Sequence, residues 1–523
     1  MTISRREFIK KSSYLASAAL LTPSLILPRS ILANTTWSPS EQQILQNEIT
    51  LWDALTLSKN IKNKKVSCVE VMQAYLNKIH LLNPKVNALV SLQDPEVLIQ
   101  QAREKDQQLS QGNYLGWMHG FPHAIKDLSA TQGITTTFGS PLFKSFIPKE
   151  DGIMVSRIRQ AGAIFIGKSN TPEFGYGSQT YNTLFGTTLN AYDPSKTAGG
   201  SSGGAAVALA LKMLPVADGS DMMGSLRNPA AFNNVIGYRP SQGIVPVGPT
   251  KELYITQLGY EGPMGRTISD TARLLATQAG PDPRAPLSAH IDLTPLLQPL
   301  TPPKSLRIGW LGNLNGSLPI DPDILHLCEQ GLNTLAAMGH HVEPTQFPLS
   351  EIEIWKAWLG WRHWMTAGLL EEAYLDPNKK SQLKPEIIWE LEGGLKMNAV
   401  DTFRAAEARS RVYQAFLTLY QNFDILVLPT AQVFPFDADI YWPKTILNKE
   451  MDTYHRWMEV VTPASLAGLP TLNVPVGFNQ NRLPMGMQLM GRLYDDITVL
   501  QLGYAYEQET RWNIDHMPPL IQG

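Results

Sequence analysis

The chain has 523 residues, of which 43% are hydrophobic and 17% are charged, a composition typical of a globular protein with a large core. No stretch is polar and biased enough to indicate extended disorder. The formal net charge of −2 gives no electrostatic basis for binding nucleic acid, so nucleic acid is not an expected partner.

The first residues carry the pattern of an export signal. Arg5 and Arg6 precede an apolar stretch at about 14–27, which is too short, and too interrupted by Pro23, to span a bilayer. Signals of this type are read by a receptor and are not anchors. We therefore predict that residues 1–33 form a twin-arginine export signal, recognised by the export machinery and then removed. The mature protein is expected in the periplasm or outside the cell, without a stable membrane anchor; the alternative is a basic N-terminal helix packed on the protein.

Beyond this segment, the hydrophobic pattern predicts helices that alternate with short strands. Ser67 and Glu70 form a capping box, and the helix that they open is expected to end near Asn83 and Pro84, because proline cannot continue it. Other helical patterns lie at 152–161, 205–213, 269–279, 322–338 and 494–508. Strand-like runs lie at 124–125, 163–166, 306–310, 425–428, 472–476 and 485–489. This alternation predicts one large α/β domain over 34–523, built on a mixed central β-sheet flanked by helices.

A helical, aromatic-rich segment at about 350–421 follows a proline-rich seam at 281–304 and is predicted to be an insertion in the domain. Its tryptophans are three residues apart, at Trp355, Trp358, Trp361 and Trp364. This spacing favours a buried helix face that packs in the core. The alternative is a hydrophobic wall or lid over a substrate cavity.

Two segments rich in small residues carry the clearest chemical signal. The first, at 199–204, holds Ser201 and Ser202 and runs directly into an apolar helix, where loop amides can bind developing negative charge. The same residues match the Gly-x-Ser-x-Gly elbow of α/β-hydrolases, in which His455 or His516 would have to serve as the base. The residues before Ser201 are loop-like, whereas that elbow follows a core strand, so we keep it as an alternative only.

The second segment, at 219–227, is predicted to be a loop that holds a nucleophile, Ser225. Backbone amides before this serine can point into one oxyanion hole. The candidate oxyanion-hole residues are Met222, Met223 and Gly224. Asp221 and Arg227 carry opposite charges in an apolar, glycine-rich setting, so a buried ion pair that holds the loop is favoured over two separate solvated charges.

Lys126 lies upstream in an apolar stretch and is the candidate base. It must be neutral for this role, and burial in an apolar pocket lowers the pKa of a lysine towards that state. A simple ion pair with Asp127 is the alternative. The sequence contains no His-Glu-x-x-His zinc helix, Walker loop or Gly-x-Gly-x-x-Gly fingerprint, so we expect neither a metal nor a cofactor.

Taken together, these motifs resemble the amidase signature family over nearly the whole mature chain. The resemblance rests on segments at 120–127, 161–170, 199–204, 221–229, 468–470 and 483–489. It implies a single large amidase-signature-type α/β domain and a triad in which Ser225 attacks, Ser201 relays the proton and Lys126 accepts it. It also implies a cis peptide bond between Gly200 and Ser201, an acyl-enzyme on Ser225, and a mechanism without metal or cofactor. Ser202, Asp221 and Arg227 are the expected supporting residues.

The expected activity is hydrolysis of the C–N bond of a small-molecule carboxylic amide. One alternative is a glutaminase-type subunit of an amidotransferase. Another is an inactive binding protein on the same scaffold, because the family usually has two glycines before the nucleophile and this chain has Met223 and Gly224, preceded by Met222. All three triad positions are intact. The sequence leaves a homodimer open.

Overall fold

The computed structural model describes residues 48–255 and 257–522, so the predicted export signal at 1–33 lies outside the described residues. The strands are β1 (Leu89–Val90), β2 (Pro122–Lys126), β3 (Ile164–Ser169), β4 (Tyr181–Asn182), β5 (Gly186–Thr187), β6 (Val216–Asp221), β7 (Ile236–Arg239), β8 (Tyr260–Gly265), β9 (Arg307–Trp310), β10 (His341–Pro344), β11 (Ile425–Pro429), β12 (Thr445–Ile446), β13 (Lys449–Glu450), β14 (Thr471–Phe478) and β15 (Pro484–Gly491). The helices are α1 (Ala54–Lys62), α2 (Cys68–Val86), α3 (Pro95–Ser110), α4 (Ile153–Gln160), α5 (Gly203–Ala210), α6 (Arg227–Phe232), α7 (Ile268–Gln278), α8 (Pro322–Ala337), α9 (Glu351–Leu375), α10 (Pro377–Lys380), α11 (Pro385–Leu395), α12 (Ala399–Leu419), α13 (Thr462–Ala467), α14 (Asp496–Thr510) and α15 (Trp512–Asp515).

Eight strands form one large mixed sheet in the order β10-β9-β11-β15-β14-β7-β8-β6. The pairs β10–β9 and β9–β11 are parallel, and the remaining pairs are antiparallel. A separate sheet has the order β1-β3-β2. The predicted fold class, an α/β domain with a mixed central sheet flanked by helices, is confirmed. Within the described part of the chain, no helix combines the length and apolar character needed to cross a bilayer.

Helix α2 begins as predicted but ends later than predicted. The capping box of Ser67 and Glu70 is formed, whereas the helix continues through Pro84 to Val86. Proline in the last turn removes only one backbone hydrogen bond, so the helix can tolerate it there. The chain turns immediately afterwards because the Asn83 side chain accepts the amides of the two residues that follow Asn87, at 3.0 and 2.8 Å.

The sequence predicted a loop for the whole second small-residue segment, but part of this segment is a strand. Its first three residues, 219–221, complete strand β6, which pairs with β8 and places Gly219 opposite Gly262. A Cβ atom at Gly219 would lie 2.7 Å from the Ser202 hydroxyl and 2.6 Å from the Leu226 side chain. Tertiary packing thus requires glycine within a strand, where intrinsic propensity disfavours it.

The helical segment at 350–421 contains α9 to α12, and its tryptophans mainly pack in the core. Trp355, Trp358 and Trp361 are buried in the main hydrophobic core, and Trp364 is partly buried against it. The core-packing interpretation of the spacing is therefore confirmed for three of the four. All residues of helix α5 are buried, so the first small-residue segment, which leads into this helix, also lies in the interior.

We expect Gly237→Ala to destabilise the fold, because its Cβ atom would fall on the carbonyl of Leu226, at the start of helix α6. Overpacking of this kind costs about 1–3 kcal/mol of unfolding free energy. Gly368→Ala is the matched control: Gly368 lies in helix α9 with open space around its Cβ position, so the change should stabilise by up to about 1 kcal/mol. Urea unfolding measures both. Equal stability of the two variants would contradict this packing.

Candidate active site

The backbone of Lys126 is fixed at the last position of strand β2. The Asp218 carboxylate, on β6, accepts the Lys126 amide at 3.0 Å and contacts Nε2 of His123 at 2.9 Å. The His123 and Asp218 side chains are completely buried. This link between the two sheets directs the Lys126 side chain towards the small-residue segments.

The Lys126 side chain ends among serine hydroxyls. Its Nζ donates to the Oγ atoms of Ser201 and Ser202, each at 2.8 Å, and to that of Ser220 at 3.0 Å. Burial lowers the pKa of Lys126 to about 7, although the carboxylates of Asp218 and two other residues partly oppose the shift. The alternative ion pair with Asp127 is not formed, since that carboxylate accepts from the amide and hydroxyl of Thr137.

The first small-residue segment brings Ser201 to Lys126 and contacts the second segment. The peptide bond between Gly200 and Ser201 is cis, as the family resemblance implies. The Asn228 side chain accepts the Gly200 amide at 3.1 Å, and the Ser202 amide donates to the carbonyl of Ser225 at 3.2 Å. The two segments are therefore joined directly at the serines that the sequence identified.

The predicted ion pair of Asp221 and Arg227 is present and completely buried. Two nitrogens of the Arg227 guanidinium donate to the two carboxylate oxygens, each at 3.0 Å. Arg239, which sequence reasoning missed, adds a second guanidinium 3.6 Å from Asp221. Burial opposes ionisation of Asp221, but the Arg227 guanidinium overcomes it and holds the pKa of this carboxyl well below its usual range.

The ion pair also determines which amides near Ser225 are free. The Asp221 carboxylate accepts the amide of Gly224 at 2.8 Å, so this amide is engaged and the assignment of Gly224 as an oxyanion-hole donor is corrected. Gly224 instead provides a positive φ of 76°. Within residues 48–255 and 257–522, no acceptor faces the amides of three residues: Met222, Met223 and Ser225. Ser225 itself is 7% exposed.

Met222 is held by a residue of the helical segment. Arg362, on α9 and 6% exposed, donates to the thioether sulfur of Met222 through Nη1. Its other nitrogens donate to Glu390 at 2.9 Å and to the Tyr454 hydroxyl at 3.1 Å. Met223 is buried in the core. The only sequence signal for Arg362 is its position among the tryptophans on the buried face of a helix. A buried arginine is costly without partners, so this position implies that partners are present.

The α/β-hydrolase alternative places its histidines elsewhere. The hydroxyl of Ser201 contacts Lys126, whereas His455 lies 3.7 Å from Glu390 and His516 stacks on Phe478. Burial lowers the pKa of His455 to about 3. Among the described residues, no cluster of three or more histidine, cysteine, aspartate and glutamate side chains is arranged to hold a metal ion.

Comparison with known proteins identifies the family of the chain. A family model described as Amidase matches residues 70–500. The chain belongs to the amidase signature family. A glutamyl-tRNA(Gln) amidotransferase subunit from Thermosynechococcus vestitus is 32% identical over 486 residues, which cover 87% of this chain and 98% of that protein. An acylamidase from Rhodococcus erythropolis is 31% identical over 464 residues, covering 88% and 95% respectively.

The solved structures extend this family relationship to the fold. A bacterial aryl acylamidase of the amidase signature family matches with a TM-score of 0.83 and 26% identity, covering 90% of this chain and 98% of that one. Enzymes of this family, which include acylamidases and amidases, are hydrolases that act on C–N bonds. The chain is therefore an amidase signature hydrolase.

We expect Asp221→Asn to destabilise the protein strongly, because it leaves buried guanidinium groups without their counter-charge. Breaking a buried pair from one side costs about 3–5 kcal/mol of unfolding free energy. Asp515→Asn is the matched control, since Asp515 forms a similar two-oxygen pair with Arg511 at the surface. Thermal and urea unfolding should separate the two variants. Similar losses in both would contradict the importance assigned to burial.

Proposed function

We propose that this amidase signature hydrolase cleaves a small-molecule carboxylic amide through Ser225, Ser201 and Lys126. The observation that carries the proposal is the 2.8 Å contact from Lys126 Nζ to Ser201 Oγ, at a lysine whose pKa burial lowers to about 7. The direct bond from Ser202 to the carbonyl of Ser225 supports the place of Ser225 beside this pair.

In the proposed acylation, the Ser225 hydroxyl attacks the amide carbon while its proton passes through Ser201 to neutral Lys126. The carbonyl oxygen becomes an oxyanion, which the free amides of Met222, Met223 and Ser225 would stabilise. The C–N bond then breaks as the proton returns through Ser201 to the leaving nitrogen. Water attacks the acyl-enzyme with the same groups in the reverse order, which releases the carboxylate.

The lowered pKa makes the buried lysine suitable for both halves of this cycle. A base whose pKa is close to the working pH is substantially neutral before attack and still returns its proton readily afterwards. A solvated lysine, whose pKa is about 10.4, would be almost entirely protonated at neutral pH. The proton acceptance therefore depends on burial of Lys126 and needs no histidine.

The glutaminase-type alternative has its support in the relatives that are named as subunits of a glutamyl-tRNA(Gln) amidotransferase. Ammonia release from free glutamine, measured beside hydrolysis of a neutral 4-nitroanilide, distinguishes the two. We expect the anilide to be hydrolysed and glutamine to be a poor substrate. Hydrolysis of glutamine but not of the anilide would favour the amidotransferase role. If the Ser225→Ala protein kept both activities, Ser225 could not be the nucleophile.

For the mechanism, we expect Lys126→Ala to lower kcat/KM for an amide by about 10²- to 10⁴-fold, the usual contribution of a general base. Hydrolysis of the matching ester should fall less, because its leaving group needs less help from a proton. In the wild-type protein, kcat/KM for the amide should rise with pH and level off above about 7, as Lys126 loses its proton.

Lys126→Arg is the matched variant for this test. It keeps a positive charge but cannot become neutral at any working pH, so it should be as inactive towards amides as the alanine variant. Lys251→Ala, at an almost fully exposed lysine, should retain wild-type rates. An active Lys126→Arg protein, or an unchanged pH profile in Lys126→Ala, would rule out the proposed base.

We also propose that the twin-arginine pattern exports the folded protein to the periplasm. In a bacterium with this export system, the full chain should fractionate with the periplasm, and replacing both Arg5 and Arg6 by lysine should retain it in the cytoplasm. Replacing Lys10 and Lys11 by arginine changes neighbouring residues without changing charge and should leave export intact. Periplasmic recovery of the Arg5→Lys, Arg6→Lys protein would contradict the proposal.

A further inference from the structure

A cavity of about 780 Å³ lies between strand β4, the first turn of helix α11 and the segment that ends at Tyr454. Its walls are unusually rich in aromatic side chains: Tyr181, Trp389, Tyr441, Trp442 and Tyr454. The rings of Tyr181 and Tyr441 stack with their centroids 5.1 Å apart. No part of the proposed proton relay uses this cavity.

Two chains of contacts place the cavity beside both catalytic segments. Thr180, the neighbour of Tyr181, donates its amide and its hydroxyl to the carbonyl of Gly199, at 3.0 and 2.8 Å. Tyr454, which also lines the cavity, is bonded to Arg362, which contacts Met222. The walls of the cavity are therefore connected by hydrogen bonds to both catalytic segments.

The wall contains a buried carboxylate for which the described residues provide no close ion pair. Glu386 is 8% exposed and lines the cavity; one oxygen accepts the Tyr181 hydroxyl at 3.1 Å. Its other oxygen, Oε2, has no hydrogen-bond partner, and no cationic side chain lies within 4 Å, among the residues that the structure describes. A buried carboxylate in this state is costly, because its negative charge is poorly solvated and only partly balanced by Lys384.

Neither lysine of the cavity forms a close ion pair with Glu386. The Glu386 charge partly opposes the burial that lowers the pKa of Lys384 to about 8, so the two groups attract each other without contact. Lys384 donates to the carbonyl of Tyr176 at 3.1 Å and lies 4.0 Å from the ring centre of Tyr181. Lys444 lies over the ring of Trp442. Three further carboxylates, Glu173, Glu450 and Asp452, line the same cavity. Aromatic faces and excess carboxylate both favour a cation over a neutral or anionic group.

We infer that this cavity is a substrate subsite for a protonated alkylamine group, held by the charge of Glu386 and the surrounding aromatic rings. The inference rests on the proposed amide hydrolysis, and it adds a substrate class: amides that also carry an ammonium group away from the scissile bond. The cavity is large enough for the chain that bears this group, and its apolar ring faces suit the methylene units.

Calorimetric titration of the full chain with hexylammonium and with hexan-1-ol tests the subsite without requiring turnover. The two ligands have the same chain length and differ in charge. We expect hexylammonium to bind at least about tenfold more tightly, as a charge-assisted contact in a partly buried site provides. Glu386→Gln keeps an acceptor for Tyr181 but removes the charge, so this ratio should fall close to one.

Glu392→Gln is the matched control, because Glu392 lies on the same helix outside the cavity and is bonded to Tyr374. It should keep the wild-type ratio, as should Glu386→Asp, which retains the charge. Equal binding of the two ligands to the wild-type protein, or an unchanged ratio in a folded Glu386→Gln protein, would overturn the inference. Failure to hydrolyse any neutral anilide would instead count against the proposed function. The titration measures binding alone, so its outcome is independent of that activity.

Discussion

The candidate chemistry of this protein depends on taking one lysine amine out of water. Lys126 is buried at the end of a strand, and its Nζ is surrounded by serine hydroxyls rather than paired with a carboxylate. Hydroxyls can accept its hydrogen bonds, but they do not stabilise its charge as an ion pair would, so burial lowers its pKa to about 7. The carboxylates of Asp218, Asp221 and Glu261 oppose this shift only in part, because none of them forms an ion pair with the Lys126 amine.

The second requirement is a rigid turn around Ser225, and a buried ion pair satisfies it. The carboxylate of Asp221 is shared between the Arg227 guanidinium and the amide of Gly224. It accepts the amides of Gly224 and Leu226 and leaves other amides of the turn free, so the same interaction that stabilises the turn also selects the candidate oxyanion donors. Arg362 extends this support from the helical segment to Met222, which precedes Met223, the position where the chain departs from the usual pair of glycines.

Much of this arrangement could be predicted from the sequence, because the informative residues lie in short local patterns. The capping box at Ser67, the apolar strand before Pro429 and the glycine and serine segments are each read within a few neighbours. Strand β6 could not be read this way, since its one glycine, Gly219, is explained only by its packing against Ser202 and the turn after Asp221. Arg362 and Glu386 were equally hidden, because their roles arise from contacts between residues more than a hundred positions apart.

The most direct measurement of the central claim is the site of covalent modification by a fluorophosphonate probe, mapped by mass spectrometry of the digested protein. We expect one adduct on Ser225, absent in Ser225→Ala and formed much more slowly in Lys126→Ala, since in the proposed mechanism the neutral lysine activates the attacking hydroxyl through Ser201. An adduct on Ser201 in place of Ser225, or no adduct on a folded wild-type protein, would contradict it.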